Sequence, residues 1–364
     1  MRPLRVYGGS SGGGLRLPEA QASRRNLYGP RGVTISGDSL IICDTGNHRV
    51  LLYRDFRTNP SIEADLVIGQ PDFDSERPAW PDPVRGLFMP TDAKIVDKRL
   101  FIADSWHHRI VIYELDHQGK PHSLPMAVIG QRSLEEVEAN RGESECDGAS
   151  LYWPFGFGFL DDGFWVADTG NRRVLRWRDW QSAIDKPAEE VIGQDADDCR
   201  EENRGRVGGD SFRWPHSVDG AGDVTYIADA GNHRVLGFDL PHVDRAADTV
   251  IGQSSFVDNT EWPYAPQGPD RLRFPYGVSV DGGRLAVADS ANNRVLLFDS
   301  LPGGVGAKAD HVIGQPDFES YGENQWRVMS DATLCWPYAV DLVDDVLVIA
   351  DTGNNRVVVW KLED

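Results

Sequence analysis

Aspartate and arginine recur six times at one fixed interval, as Asp44 and Arg49, Asp104 and Arg109, Asp168 and Arg173, Asp229 and Arg234, Asp289 and Arg294, and Asp351 and Arg356. A carboxylate held near a guanidinium invites a catalytic role, because the neighbouring charge tunes its proton affinity. Catalysis needs such a group once, whereas every copy carries this pair. Its expected role is therefore structural, a charge-assisted contact bracing a turn, with Asn47 and its counterparts bonding the turn backbone. The second copy departs from the rest, reading Asp104-Ser105-Trp106-His107-His108-Arg109. Two histidines beside an aspartate suggest a metal, but neighbours in an extended segment point to opposite faces, so His107 and His108 would not chelate together. Trp106 and His107 are expected instead in a partner contact, since aromatics are enriched at interfaces.

The elements that position these residues follow from the spacing. Fourteen residues before each aspartate stands a proline: Pro30, Pro90, Pro154, Pro215, Pro275 and Pro337, at intervals of 60 to 64 residues. Between proline and aspartate the pattern alternates, as in Gly277-Val278-Ser279-Val280 and Arg284-Leu285-Ala286-Val287-Ala288, which predicts two short strands. A third strand begins at each arginine. A fourth recurs as Val67-Ile68-Gly69-Gln70 and its four later copies. Four strands repeated six times predict an all-β fold, a six-bladed β-propeller of four-stranded blades. The repeat cores are 30–70, 90–131, 154–194, 215–253, 275–315 and 337–364, the last lacking its fourth strand. Val6-Tyr7-Gly8-Gly9 fits that slot, so residues 5–9 are expected to pair with the C-terminal blade and close the ring as one domain spanning 1–364.

Asp44-Thr45-Gly46-Asn47-His48-Arg49-Val50, Asp229-Ala230-Gly231-Asn232-His233-Arg234-Val235 and Asp351-Thr352-Gly353-Asn354-Asn355-Arg356-Val357 closely resemble the NHL repeat. The resemblance covers essentially the whole chain in six copies and implies the propeller fold. For function it implies only a range: RNA-binding and protein-binding modules, and, among related six-bladed propellers, amidating lyases, lactonases and strictosidine-synthase-like enzymes. Metal-dependent enzymes of related folds gather a central cation with side chains from several blades. No consistent ligand set occupies the corresponding positions here, so no catalytic residue is assigned.

Function is expected where the copies differ inside a fixed frame. Directly after the prolines stand Arg31, Thr91, Phe155, His216, Tyr276 and Tyr338, followed by Gly32, Asp92, Gly156, Ser217, Gly277 and Ala339. Arg31, Asp92, His216, Tyr276 and Tyr338 are expected to converge on one channel mouth, to hold a small polar ligand or to plug the channel around water. Lys94, Asp219 and Asp341 lie further down the same strands. No cofactor is expected, while a divalent metal in the channel stays open.

Long connections lead into each first strand: 71–89, 132–153, 195–214, 254–274 and 316–336, with 10–29 as the sixth. The first five together carry a charge of −12 out of −20 for the chain, and the sixth is basic through Arg16, Arg24 and Arg25 against Glu19. Such loops form a crown around the channel mouth. They also hold Trp80, Phe88, Tyr152, Trp262, Tyr264, Tyr321 and Trp326, and acidic charge mixed with large aromatics suits protein binding. Trp153, Trp214 and Trp336 are expected between blades. Nucleic acid is disfavoured by the charge, and no window is apolar enough to insert in a membrane. Cys43, Cys146, Cys199 and Cys335 form no C-x-x-C pair, and free thiols in the cytoplasm are expected, with Cys146 and Cys199 left open as a possible pair. The expected function is a non-enzymatic scaffold or assembly subunit that docks a protein through the crown, with Trp106, His107, Trp262 and Trp326 as contacts. The alternative is a lyase or hydrolase acting on a small molecule at the channel mouth.

Overall fold

The computed structural model describes residues 1–9, 21–78, 82–239, 246–263 and 266–362. Trp80, Tyr264, Arg16, Glu19 and the last two residues of the sixth repeat core lie outside the described residues. The described strands form six four-stranded antiparallel sheets, each a blade. The innermost strands are Gly32–Ser36 in blade I, Pro90–Val96 in II, Pro154–Leu160 in III, Pro215–Ala221 in IV, Pro275–Asp281 in V and Pro337–Val343 in VI.

Second and third strands are sandwiched between neighbouring blades, so both of their faces are apolar and alternation gives way to continuous hydrophobic runs. Val346–Asp351, with sequence VLVIAD, is buried throughout. Each interface is a separate cluster; Ile41, Cys43 and Val50 of blade I, for example, pack on Ala93, Leu100 and Ile102 of blade II.

The ring closes as the repeat register predicts. Arg2–Gly8 pairs antiparallel with Arg356–Lys361, Val6 opposite Val358, and completes blade VI. Gly8 has φ +89°, matching Gly69, Gly130, Gly193, Gly252 and Gly314 at +89° to +93° in the other fourth strands. A side chain there would be strained, and it would also strike the buried residue three before each proline: Leu27, Leu87, Leu151, Phe212, Leu272 or Leu334.

Candidate functional site

The six aspartate–arginine pairs are buried hubs, none of their residues more than 1% exposed. Asp44 shows the plan. Its Oδ2 accepts from Arg49 Nε at 2.7 Å and Asn47 Nδ2 at 2.8 Å, and its Oδ1 accepts from the Tyr28 backbone N–H at 2.7 Å. Arg49 then donates to the carbonyls of Ser23 and Asn26 in the incoming loop and to that of Phe73 in the outgoing loop. One carboxylate and one guanidinium thus fix a turn and both crown loops of the blade, on the face where the inner strands begin. The hydrogen-bonding groups of Asp44 and Arg49 are spent on the chain itself.

His107 is one of these hub residues and not a partner contact. The segment Ser105–His107 is a single 3-10 turn, not extended, so it places His107 Nδ1 2.7 Å from Asp104 Oδ2, in the slot that asparagine fills elsewhere. The ring is buried and presents no face for a partner.

Two further positions, not singled out in the sequence, tie each blade to the next. The residue after the hub aspartate donates its hydroxyl to the carbonyl of the next blade's proline: Thr45 to Pro90, Ser105 to Pro154, Thr169 to Pro215, Ser290 to Pro337 and Thr352 to Pro30. Blade IV has Ala230 there and lacks the donor. Four residues after the aspartate, in every blade but III, a left-handed His or Asn accepts the N–H of the residue before that proline; blade III has Arg172 there, which reaches the Arg200 carbonyl instead. His48 Nδ1 accepts from Met89 at 3.2 Å, His108 from Trp153 at 3.2 Å and His233 from Phe274 at 3.3 Å, while Asn293 and Asn355 serve Trp336 and Gly29 through Oδ1. An accepting Nδ1 bears no proton. Burial agrees, pushing His48 below the usual histidine value and His108 and His233 down to about 4.

A register shift follows the proline in blades II to VI, a bulge that turns the next side chain toward the channel. The rings then stack around the mouth. Phe155 lies 4.4 Å from His216, His216 lies 4.6 Å from Tyr276, and Tyr276 stacks on Tyr338 at 4.2 Å and 7°. The Arg31 guanidinium covers Tyr338 at 4.8 Å, and Trp106, half-buried, extends the arc outward 6.1 Å from Phe155. His216 is 9% exposed, with Nδ1 2.9 Å from the Trp214 carbonyl, so Nδ1 carries the proton. Burial pushes its pKa down to about 4, and the ring is neutral.

Below the mouth, blades II, IV and VI contribute Lys94, Asp219 and Asp341, with Asp92 one pleat above. Lys94 Nζ lies 3.7 Å from Asp92 Oδ2. Burial opposes its charge, but Asp92, Asp219 and Asp341 outweigh burial and hold its pKa above the usual lysine value. Each carboxylate also accepts an N–H of the following blade: Phe157 at 3.1 Å, Val280 at 2.8 Å and Ile35 at 2.6 Å. Burial pushes Asp341 up to about 6. The carboxylates therefore surround an ammonium that belongs to the chain. Among the described residues, no group of three or more His, Cys, Asp or Glu side chains is placed to hold a metal ion. The cavity that all these residues line has about 50 Å³, room for one or two waters.

The structure thus places Arg31, Asp92, His216, Tyr276 and Tyr338 on one cavity; Trp106 and His107 lie in blade II, and Trp262 and Trp326 lie in the crown loops of blades V and VI. Trp262 is half-buried under the Arg271 guanidinium at 4.6 Å. Trp326 is 77% exposed, and it shares its loop with Val328 and Trp336, also exposed. Trp336 does not pack between blades as expected; its Nε1 reaches Glu323 at 3.3 Å on the surface. Cys146 Sγ lies 3.6 Å from the Cys199 carbonyl, and all four thiols are free.

A second loop motif was missed in the sequence. Ala139-Asn140-Arg141-Gly142, Glu202-Asn203-Arg204-Gly205 and Glu323-Asn324-Gln325-Trp326 are matching left-handed loops whose asparagine pairs with the hub asparagine of the following blade, Asn171, Asn232 or Asn354. In the first two, glycine ends the turn at φ +78° and +77°. In the third that place is held by Trp326 at φ +56°.

Residues 27–52, from the end of the first crown loop through the third strand of blade I, match the family model of the NHL repeat. That segment lies in the first of six copies, and the chain as a whole folds as a six-bladed β-propeller. No curated protein matches the chain in sequence. Similar solved structures include an auxiliary nutrient binding protein from Bacteroides thetaiotaomicron, 12% identical over 93% of this chain and 70% of that one, with a TM-score of 0.54. A putative 6-phosphogluconolactonase from Bacteroides uniformis is 12% identical over 98% and 91%, with a TM-score of 0.51. Hydrazine synthase from Kuenenia stuttgartiensis is 14% identical over 95% and 99%, with a TM-score of 0.50. At these identities the likeness shows the fold alone.

Proposed function

We propose that this propeller is a docking module that binds a protein partner through the crown sector of blade VI. The observation that carries the reading is Trp326: a bulky residue in the left-handed region, 77% exposed, where the two matching loops use glycine. Backbone strain of this kind costs about 1–3 kcal/mol, and exposing an indole brings nothing to the fold. Both features make sense when the ring is buried by a partner, and tryptophan is the residue type most enriched in the energetic centre of interfaces. The acidic crown favours a partner with a basic surface and repels nucleic acid.

The small-molecule alternative would use the aromatic arc and the neutral His216 at the mouth. A cavity of about 50 Å³ is too small for an organic substrate. Photo-crosslinking tests the docking reading. A crosslinker at position 326 should capture a discrete protein in extracts of the native source, and one at Lys98, in the turn on the opposite face, should not. Equal capture at the two positions, or none at 326, would overturn the reading.

A further inference from the structure

Within the docking reading, on which this step rests, we infer that the groove beside Trp326 receives an arginine side chain from an extended basic segment of the partner. The groove has about 420 Å³ and lies between the crown loops of blades V and VI. Pro266, Pro316, Tyr321 and Trp326 supply its apolar walls, and Asp317 and Glu319 supply its charge. Its walls are held together: the Gln267 backbone N–H of one loop donates to the Glu319 carbonyl of the other at 3.2 Å. The Asp317 Oδ1 accepts from the backbone of Glu319 at 3.0 Å and Ser320 at 2.8 Å, which fixes that carboxylate at the rim. The Glu319 side chain is exposed and engages no side chain among the described residues.

Elsewhere this molecule covers tryptophan with arginine: Arg99 lies over Trp180 at 5.2 Å, Arg213 over Trp214 at 4.9 Å and Arg271 over Trp262 at 4.6 Å. No such cation covers Trp326 among the described residues. An aromatic face with two carboxylates beside it is a complete recognition set for a guanidinium, which can stack and donate in pairs at once. Lysine satisfies the charge but not the planar stack. The −12 carried by the crown loops steers a basic segment toward this face.

The probe is a nine-residue peptide of three Gly-Ser-Arg units, compared with versions carrying Lys, Leu or Glu in place of Arg, with binding read by calorimetry on the full chain. The arginine peptide should bind, the lysine peptide several-fold more weakly, and the leucine and glutamate peptides at least about tenfold more weakly. Trp326→Gly should weaken arginine-peptide binding about tenfold or more, and Glu319→Gln about three- to tenfold with a shallower salt dependence. Leu124→Ala, at an exposed apolar residue of blade II, serves as the control and should leave binding unchanged. Equal binding of the leucine peptide, or no effect of Glu319→Gln, overturns the arginine assignment. If crosslinking at 326 captures a protein that the arginine peptide cannot displace, the arginine assignment fails and the docking reading stands. If crosslinking captures nothing, both fail.

Discussion

Thr352 donates its hydroxyl to the carbonyl of Pro30, so the last blade grips the first with the same bond that Thr45, Ser105, Thr169 and Ser290 make at four other interfaces. The closure is therefore more than strand pairing by the N-terminal segment; it repeats the chemistry of an ordinary interface.

A buried hydroxyl–carbonyl bond contributes about 0.5–1.5 kcal/mol, and leaving the carbonyl unmet costs more than the bond itself. Thr352→Val keeps the shape and removes the donor. It should lower the unfolding free energy by about 1–2 kcal/mol, read by urea denaturation. Thr169→Val should cost a similar amount. Ala230→Ser in blade IV, which adds the missing donor toward Pro275, should be neutral or stabilising. A Thr352→Val variant with an unchanged urea midpoint would show that strand pairing alone holds the ring.

The histidines at the blade junctions set a pH dependence. In the unfolded chain a histidine titrates near 6.5, whereas folded His108 and His233 titrate at about 4 because burial disfavours the cation. Between those values the unfolded state binds more protons, so these residues make stability fall as pH drops through that window, and the loss levels off below it. Asn293 and Asn355 do the same accepting job without titrating. Converting His48, His108 and His233 to Asn should leave the melting temperature at pH 8 nearly unchanged and make its fall between pH 6.5 and pH 4.5 shallower than in the parent. Parallel acid-melting curves would refute this assignment.

How much of this was legible beforehand depends on whether residue identity or residue chemistry repeats. The prolines, aspartates and arginines recur unchanged, so the number of blades, the register and the fit of Val6-Tyr7-Gly8 to the last blade could be read directly. The junction residues vary as Thr or Ser, with Ala in blade IV, and as His or Asn, with Arg in blade III, and only the hydrogen-bonding capacity shared by most copies links them. His107 was misplaced because its local geometry is a 3-10 turn, which brings a residue back onto the aspartate three before it. Trp326 stands out only when its loop is aligned with the loops ending in Gly142 and Gly205, and irregular loop lengths hide that alignment. The convergence of Arg31, His216, Tyr276 and Tyr338 was visible from position, whereas the size of the cavity beneath them depends on how the rings stack.

Lys94 supplies the positive charge for three carboxylates on alternate blades. Asp341, pushed up to about 6 by burial, already binds its proton more tightly folded than unfolded, so its contribution to stability falls as pH rises from about 3.8 to 6. Lys94→Met removes the main charge opposing burial, so the loss should deepen and extend to higher pH. The variant should be destabilised by about 3–5 kcal/mol at pH 8 and by clearly less at pH 5, where protons take over the role of the ammonium. An equal loss at both values would mean that Lys94 acts by packing alone.

Trp326→Gly separates stability from function. At φ +56° the tryptophan sits in a region that glycine occupies freely, as Gly142 and Gly205 do at the matching positions. Relief of that strain is worth about 1 kcal/mol or more, reduced by the loss of the ring's contact with Gly322. For a chain of this length the melting temperature should rise by about 1–3 °C. The same substitution removes the most exposed large aromatic side chain of the crown among the described residues, so capture of the partner should be lost. A residue kept at a cost to the fold and needed for binding has its strain offset in the complex; a variant both less stable and fully competent in docking would place the role of Trp326 in the fold instead.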